Sequence, residues 1–250
     1  MEKLFLISYD TGMSKDITFG VGTLSNKGRV FTKDPAALPD EQIAAIHKRD
    51  DHTCQFCNFK SEKYQQIVFL GENPKTAQDG EYVTACTFCH QCFHIDRIPA
   101  MQSGTLIWLP ELTQAELNNL CRAIYIARIT QGPMADAARD TLDILMARKS
   151  QAKERLGTDE PKVLASIFQD FMEAREYQRR NNRIQGFRIL PLDRRLVREG
   201  DLEFNQFPQM LAYWRSNNGP YGPLPPRSWV ELFYDIKDSL QSDEEKPLTA

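Results

Sequence analysis

The sequence has no surplus of positive charge. Its 31 Lys and Arg residues face 34 Asp and Glu, a net charge of −3 at neutral pH, and its pI is near 5.9. A protein that works through contacts to phosphates is ordinarily basic, so this balance argues against a dedicated nucleic-acid binder, although a local basic face fits inside a neutral total. Long apolar runs are also missing. Nothing approaches the roughly 18 residues that suggest a membrane span. Met1 to Asp10 holds only the short apolar run Leu4-Phe5-Leu6-Ile7, too short for the core of a secretory signal. The expectation is a cytoplasmic protein, whose thiols stay reduced. No internal repeat is visible. Histidine is scarce, and none occurs from 53 to 89.

What the chain does have is cysteine in one place. At 250 residues, with 41% hydrophobic and 26% charged residues, it can bury a core as one large domain or two small ones. Of Cys54, Cys57, Cys86, Cys89, Cys92 and Cys121, all but the last are clustered. In a reducing compartment such clustering points to metal before disulfides. Cys54-Gln55-Phe56-Cys57 and Cys86-Thr87-Phe88-Cys89 are two Cys-x-x-Cys knuckles. Each tight turn aims two thiolates at one point, and two turns complete a tetrahedron with no open position, the shell of one structural zinc ion. A lone Cys-x-x-Cys would suit redox chemistry equally well; the pair favours metal. The spacing between knuckles leaves room for an inserted strand and loop. Cys92 is an alternative to Cys89 as fourth ligand, His90 lies beside it, and His94 follows. Cys121 falls on an apolar helical stripe and reads as core.

Along the chain, residues 1–38 read as a strand-rich extension, with Phe5 to Tyr9 and Ile17 to Leu24 as short apolar stretches. Asp40 is placed to cap a short helix through Arg49, with Ile43 and Ile46 inward. Gln66 to Leu70 reads as a strand and Gly71 to Gly80 as a loop, punctuated by Asn73-Pro74 and Asp79-Gly80. After Gly104 the pattern turns helical. Thr113 with Glu116 forms a capping box ahead of the stripe Leu117, Leu120, Cys121 and Ile124. Ala138, Leu142, Leu145 and Met146 outline a second helix. Val163, Ile167, Phe168, Phe171 and Met172 outline a third, with Pro161 in its first turn. Ser228 with Glu231 opens a last helix through Leu240, before an acidic tail.

Arg49-Asp50 ahead of Cys54-x-x-Cys57, then Cys86-x-x-Cys89-His90, resembles the zinc-stapled version of the HNH endonuclease module. That resemblance implies a catalytic histidine on the strand between the knuckles, activating water, and a second beside the last knuckle that helps hold a catalytic metal. His90 matches the second position. The first is occupied by Val68-Phe69-Leu70, and losing general-base help costs roughly a hundredfold or more in rate. The expectation is that the chain is not an enzyme.

A closer resemblance is to the IcmJ/DotN proteins of bacterial type IVB secretion systems. It is carried by Arg49-Asp50, by Thr53 through Cys57, by Val83 through Cys86, by Phe88-Cys89 and Gln91-Cys92-Phe93, and above all by the unusual block Gly104 to Asn118. It covers roughly residues 42–195. The resemblance implies an HNH-like zinc fold without nuclease function, in a coupling subcomplex held by the C-terminal tail of the inner-membrane coupling ATPase, DotL, beside adaptors that recruit effectors. The expected architecture is α+β: an HNH/treble-clef-like zinc module (39–103) in a mostly helical protein, with the strand-containing N-terminal extension (1–38), a helical part (104–200) and a C-terminal extension (201–250). The expected function is a noncatalytic adaptor subunit binding that tail, cytoplasmic and peripheral to an inner-membrane secretion complex, with no nucleic acid and no membrane insertion. The alternative is a metal-dependent nuclease, or a DNA-binding relative, using His90 and His94.

Three surface features stay open from sequence. The arginine-rich stretch 175–198 reads as a solvated helical face or a grip on an acidic partner. Trp108 is an exposed anchor or part of an internal strand. Phe204 to Trp214 suits a docked terminal helix or a groove-binding one.

Overall fold

A computed structural model describes residues 15–26, 29–32, 38–71, 78 and 80–222. The stretches Phe5 to Tyr9 and Ser228 to Leu240, and most of the loop at Gly71 to Gly80, lie outside the described residues. The protein is α+β, with small antiparallel ribbons set among helices, as the sequence implied.

β1 (Thr23–Asn26) and β2 (Arg29–Thr32) form the first ribbon. α1 (Asp40–Arg49) follows, then the first cysteine turn. β3 (Gln65–Phe69) and β4 (Tyr82–Cys86) pair with Gln65 opposite Cys86 and Val68 opposite Val83. α2 (Thr87–Phe93) starts directly from β4. After the short α3 (Ile98–Met101) comes β5 (Gly104–Trp108), which pairs across the chain with β6 (Phe187–Pro191). Between those two strands lie α4 (Gln114–Arg128), α5 (Pro133–Ala147), α6 (Lys149–Leu156), α7 (Pro161–Ser166), α8 (Ala174–Gln178) and α9 (Arg180–Arg183). β7 (Leu196–Glu199) and β8 (Leu202–Asn205) make a hairpin before α10 (Phe207–Arg215).

The β5–β6 ribbon divides two cores, because successive side chains on a strand point to opposite faces. Ile107 and Leu190 belong to the core built from the cysteine module, α4, α5 and α10. Leu106 and Ile189, opposite each other in register, belong to the second core with Phe19, Val21, Leu164 and Phe168. α4 contributes to the first core from most of its circumference, with Leu117, Leu120, Cys121, Ile124 and Tyr125 all buried. Its start is the expected capping box: Thr113 Oγ1 accepts from the Glu116 N–H at 3.2 Å, and the Thr113 N–H donates to Glu116 Oε2 at 2.7 Å.

Several local expectations are corrected. Asp40 is the first helical residue of α1 and Pro39 occupies the cap position, with no side-chain cap bond. Asp40 and Glu41 instead place negative charge in the first turn, where the helix dipole is positive. Ile43 and Ile46 are only half-buried, and no residue of α1 is fully buried. Among the described residues, strand structure begins at Thr23, not Ile17. Upstream, the backbone bonds to the turn after α2: the Gly20 N–H donates to Cys92 O and the Ile95 N–H to Gly20 O, both at 2.9 Å. The third expected helix ends at Ser166 and continues as a π-helical turn over Ile167–Phe171. Its wider i→i+5 winding carries Phe171 off the Phe168 face, leaving Phe168 buried and Phe171 77% exposed.

The open surface features also resolve. Trp108 is a half-buried strand residue, its ring edge-on to Phe187 at 5.0 Å and covered by the Arg155 guanidinium at 4.4 Å. The 175–198 stretch is two short helices and two strands, not one helical face. Within it, Arg180 donates to Phe19 O, Arg188 Nε donates to Leu112 O at 2.6 Å, and Arg195 Nε donates to Gln206 Oε1 at 3.2 Å. α10 is docked, with Phe207, Met210 and Trp214 buried.

Gly186, immediately before β6, has φ +87° and sits under Trp108, whose ring would lie 2.6 Å from an added Cβ. Gly186→Ala is therefore expected to cost about 1–3 kcal/mol, from backbone strain and overpacking together. Thermal denaturation of the variant checks this.

Candidate metal centre

The first knuckle is a tight turn closed by backbone. The Cys54 N–H donates to Phe59 O and the Asn58 N–H to Cys54 O, both at 3.0 Å. Asn58 adopts φ +58°, which lets the chain reverse there. The turn is fastened to the ribbon by the Gln55 N–H, which donates to Thr84 O at 2.9 Å. Arg49 and Asp50 brace the same place. The Thr84 N–H donates to Asp50 Oδ2 at 2.7 Å, while Arg49 reaches Asp50 Oδ1 at 2.8 Å and Tyr82 O at 2.6 Å. Burial alone would raise the Asp50 pKa, yet these bonds and the Arg49 charge hold it below its ordinary value.

The second knuckle straddles a strand-to-helix junction. Cys86 ends β4 and serves as N-cap of α2, its Sγ accepting from the Cys89 N–H at 3.4 Å. β3 and β4, the ribbon between the knuckles, bring Cys86 to Cys57, with their sulfurs 3.6 Å apart. The four sulfurs of Cys54, Cys57, Cys86 and Cys89 all lie within 4.8 Å of one another, and all four residues are buried. Sulfurs bound tetrahedrally to zinc at about 2.3 Å stand about 3.8 Å apart, so this donor set fits such an ion in size and chemistry.

Cys92 is not part of the group. Its thiol donates to Phe88 O at 3.4 Å, and burial raises its pKa well above the ordinary value. Cys121 is a buried core thiol, likewise raised by burial. His90, within α2, and His94, its C-cap residue, lie beside each other with rings tilted by 32° and centroids 4.4 Å apart. Burial lowers the His90 pKa, and the neighbouring His94, Arg195 and Arg97 lower it further.

Around the sulfurs stands a second set of groups that the sequence pattern did not single out. Asn118, on α4, donates to Cys89 Sγ at 3.2 Å. Arg122, one turn on, donates from Nη1 to Cys86 Sγ at 3.3 Å and from Nη2 to Cys57 Sγ at 3.0 Å. Asn119 anchors the knuckle through Cys57 O at 3.3 Å and also accepts from Arg122. Arg122 is only 1% exposed, and its guanidinium lies 4.2 Å from the Phe59 ring and 5.6 Å from the Phe88 ring. Burial opposes its charge, and the adjoining Cys57 and Cys86 sulfurs more than restore it. Burial likewise raises all four thiols. At Cys86 and Cys57, bonds from neighbouring thiols and the Arg122 charge outweigh it, whereas Cys54 and Cys89 remain raised. The available signal was polar residues at i and i+4, Asn118 and Arg122, inside a helix with apolar residues on both flanks.

The class of protein these features define is an α+β fold assembled around a closed four-cysteine centre able to hold a metal ion such as zinc. The chain is similar to the type 4 apparatus protein DotN of Legionella pneumophila subsp. pneumophila (strain Philadelphia 1), 36% identical over 129 residues. The match covers 50% of this chain and 60% of that protein, so the chain spans less than two thirds of its relative's length. The resemblance read from the sequence to the IcmJ/DotN proteins is borne out. No protein-family model matches the chain. Among the described residues, no helix is long and apolar enough to cross a membrane.

Proposed function

We propose that the chain is a noncatalytic subunit of a type IVB secretion coupling complex, folded around one structural zinc ion held by Cys54, Cys57, Cys86 and Cys89. It works at the cytoplasmic side of the inner membrane, binding the C-terminal tail of a DotL-like coupling ATPase beside adaptors that recruit effectors. The observation that carries this reading is the similarity to DotN, and the closed thiolate centre fits it. Four thiolates leave a zinc ion no position for water or substrate, so the centre suits a staple and not a reaction. The order of knuckle, ribbon and helix carrying the second cysteine pair supports a treble-clef, HNH-like module.

The strand that would supply a nuclease base instead contributes Val68 to the core, at 1% exposure. His90 and His94 are close enough to suggest a second cation and so favour the nuclease alternative, but the positive charges of Arg97 and Arg195 near His90 disfavour one there. Plasmid DNA incubated with the protein and magnesium or manganese is expected to stay intact. Cleavage abolished by His90→Ala would transfer the assignment to the nuclease.

The proposed partner surface is the helical half. That half holds the block Gly104 to Asn118 and presents Ile129, Ile144 and Val163 in part to solvent. Titrating the tail peptide of the coupling ATPase from the same genome into folded, zinc-loaded protein is expected to give saturable binding. Its heat-capacity change should be negative, as apolar burial requires, and its affinity should depend only weakly on salt. No binding at tens of micromolar would contradict the assignment.

A further inference from the structure

We infer that Arg122 is the built-in counter-ion and ligand-positioning residue of the centre, making its metal kinetically inert and tying α4 to it. The inference rests on the reading of the four cysteines as a zinc site. Four thiolates around a divalent cation leave a net charge of −2, buried in a core. Arg122 supplies one positive charge from within the fold, and its fork reaches one sulfur from each knuckle, Cys86 at 3.3 Å and Cys57 at 3.0 Å. A lysine has the charge but not the fork, and it cannot hold both sulfurs in one plane. The guanidinium lies near two aromatic rings, Phe59 from the first knuckle segment and Phe88 from α2. Asn118 serves Cys89 from the same helix face. Three of the four sulfurs thus accept hydrogen bonds from α4.

Two consequences follow from the chemistry. A thiolate that accepts charge-assisted hydrogen bonds is a weaker nucleophile toward alkylating agents and protons, so its bond to the metal opens less often. The metal also becomes a joint between the cysteine module and the helical half, because losing it leaves Arg122 beside sulfurs free to protonate.

The test compares wild type with Arg122→Met and Arg122→Lys, with Leu164→Ala in the second core as a control for general destabilisation. Zinc content is measured first, then release to a chelator in the presence of N-ethylmaleimide, followed by a zinc-sensitive dye. Arg122→Met is expected to release zinc about 10–100-fold faster, Arg122→Lys to lie between it and wild type, and Leu164→Ala to match wild type. In cobalt(II)-substituted protein the thiolate-to-cobalt charge-transfer band should move to lower energy in Arg122→Met, a change that loss of packing alone would not produce. If Arg122→Met does not fold, Arg122→Lys carries the test by both readouts. Wild-type protein holding one zinc, with release and band position unchanged in the folded variants, would overturn the role of Arg122 alone. Wild-type protein holding no metal would overturn the zinc reading as well.

Discussion

Cys86→Ser protein is expected to be insoluble or partly unfolded and to hold no zinc. Cys86 does three things at once: it ends β4, caps α2, and stands 3.6 Å from the Cys57 sulfur. A structural zinc site contributes about 10–16 kcal/mol to the folding of small zinc modules, whereas a whole domain is stable by only about 5–15 kcal/mol. Losing one of four thiolates therefore threatens the entire first core. The substitution also removes one of the two sulfurs that balance the buried Arg122 charge, and an uncompensated buried charge costs about 3–5 kcal/mol. The second core, with Phe168, Leu164 and Ile189, has no cysteine ligand in it. Some helical circular dichroism should thus survive while near-ultraviolet signal from the first core is lost. The same outcome is expected for Cys54→Ser and Cys89→Ser. Cys92→Ser should fold and bind metal, since the Cys92 thiol stands outside the four-sulfur group and bonds to Phe88 O at 3.4 Å. A folded Cys89→Ser protein beside a collapsed Cys92→Ser protein would move the fourth ligand to Cys92.

Trp214→Ala is expected to lower the melting temperature by roughly 6–20 °C while leaving zinc bound at room temperature. Trp214 is 2% exposed and ties α10 to the module, packing edge-on against Phe59 at 5.7 Å and Phe88 at 5.8 Å. Phe59 is also the ring beneath Arg122. Truncating a buried tryptophan costs about 3–5 kcal/mol, and each kcal/mol shifts the melting temperature by about 2–4 °C for a chain of this size. Limited proteolysis should cut first near α10 in the variant. A shift under about 2 °C would mean that α10 is not held by this contact.

The legibility of this protein in its sequence differs from element to element for physical reasons. The two knuckles could be read because a Cys-x-x-Cys turn is local, its two sulfurs brought together within four residues. The capping box at Thr113 could be read because both partners are local. Arg122 could not be read as part of the centre. Its partners, Cys57 and Cys86, are far away in the chain, and an arginine between Cys121 and Ala123 ordinarily marks a solvated face. Asp40 was misplaced by one residue because a Pro39-Asp40 start offers two candidates for the cap, and the proline took it. The helix expected through Met172 carried the right periodicity, but a π-helical turn shifts phase without changing composition. The fate of Phe204 to Trp214 needed the core, since amphipathic residues fit a docked helix and a partner-binding helix equally well.

The claim on which the rest depends is that four cysteines close around one zinc ion. X-ray absorption at the zinc edge, on protein purified without added metal and with metal content measured in the same sample, tests it most directly. The account predicts one zinc per chain with four sulfur neighbours at about 2.3 Å and no nitrogen or oxygen in that shell. Well under half an equivalent of zinc, or a shell in which nitrogen or oxygen replaces sulfur, would contradict it.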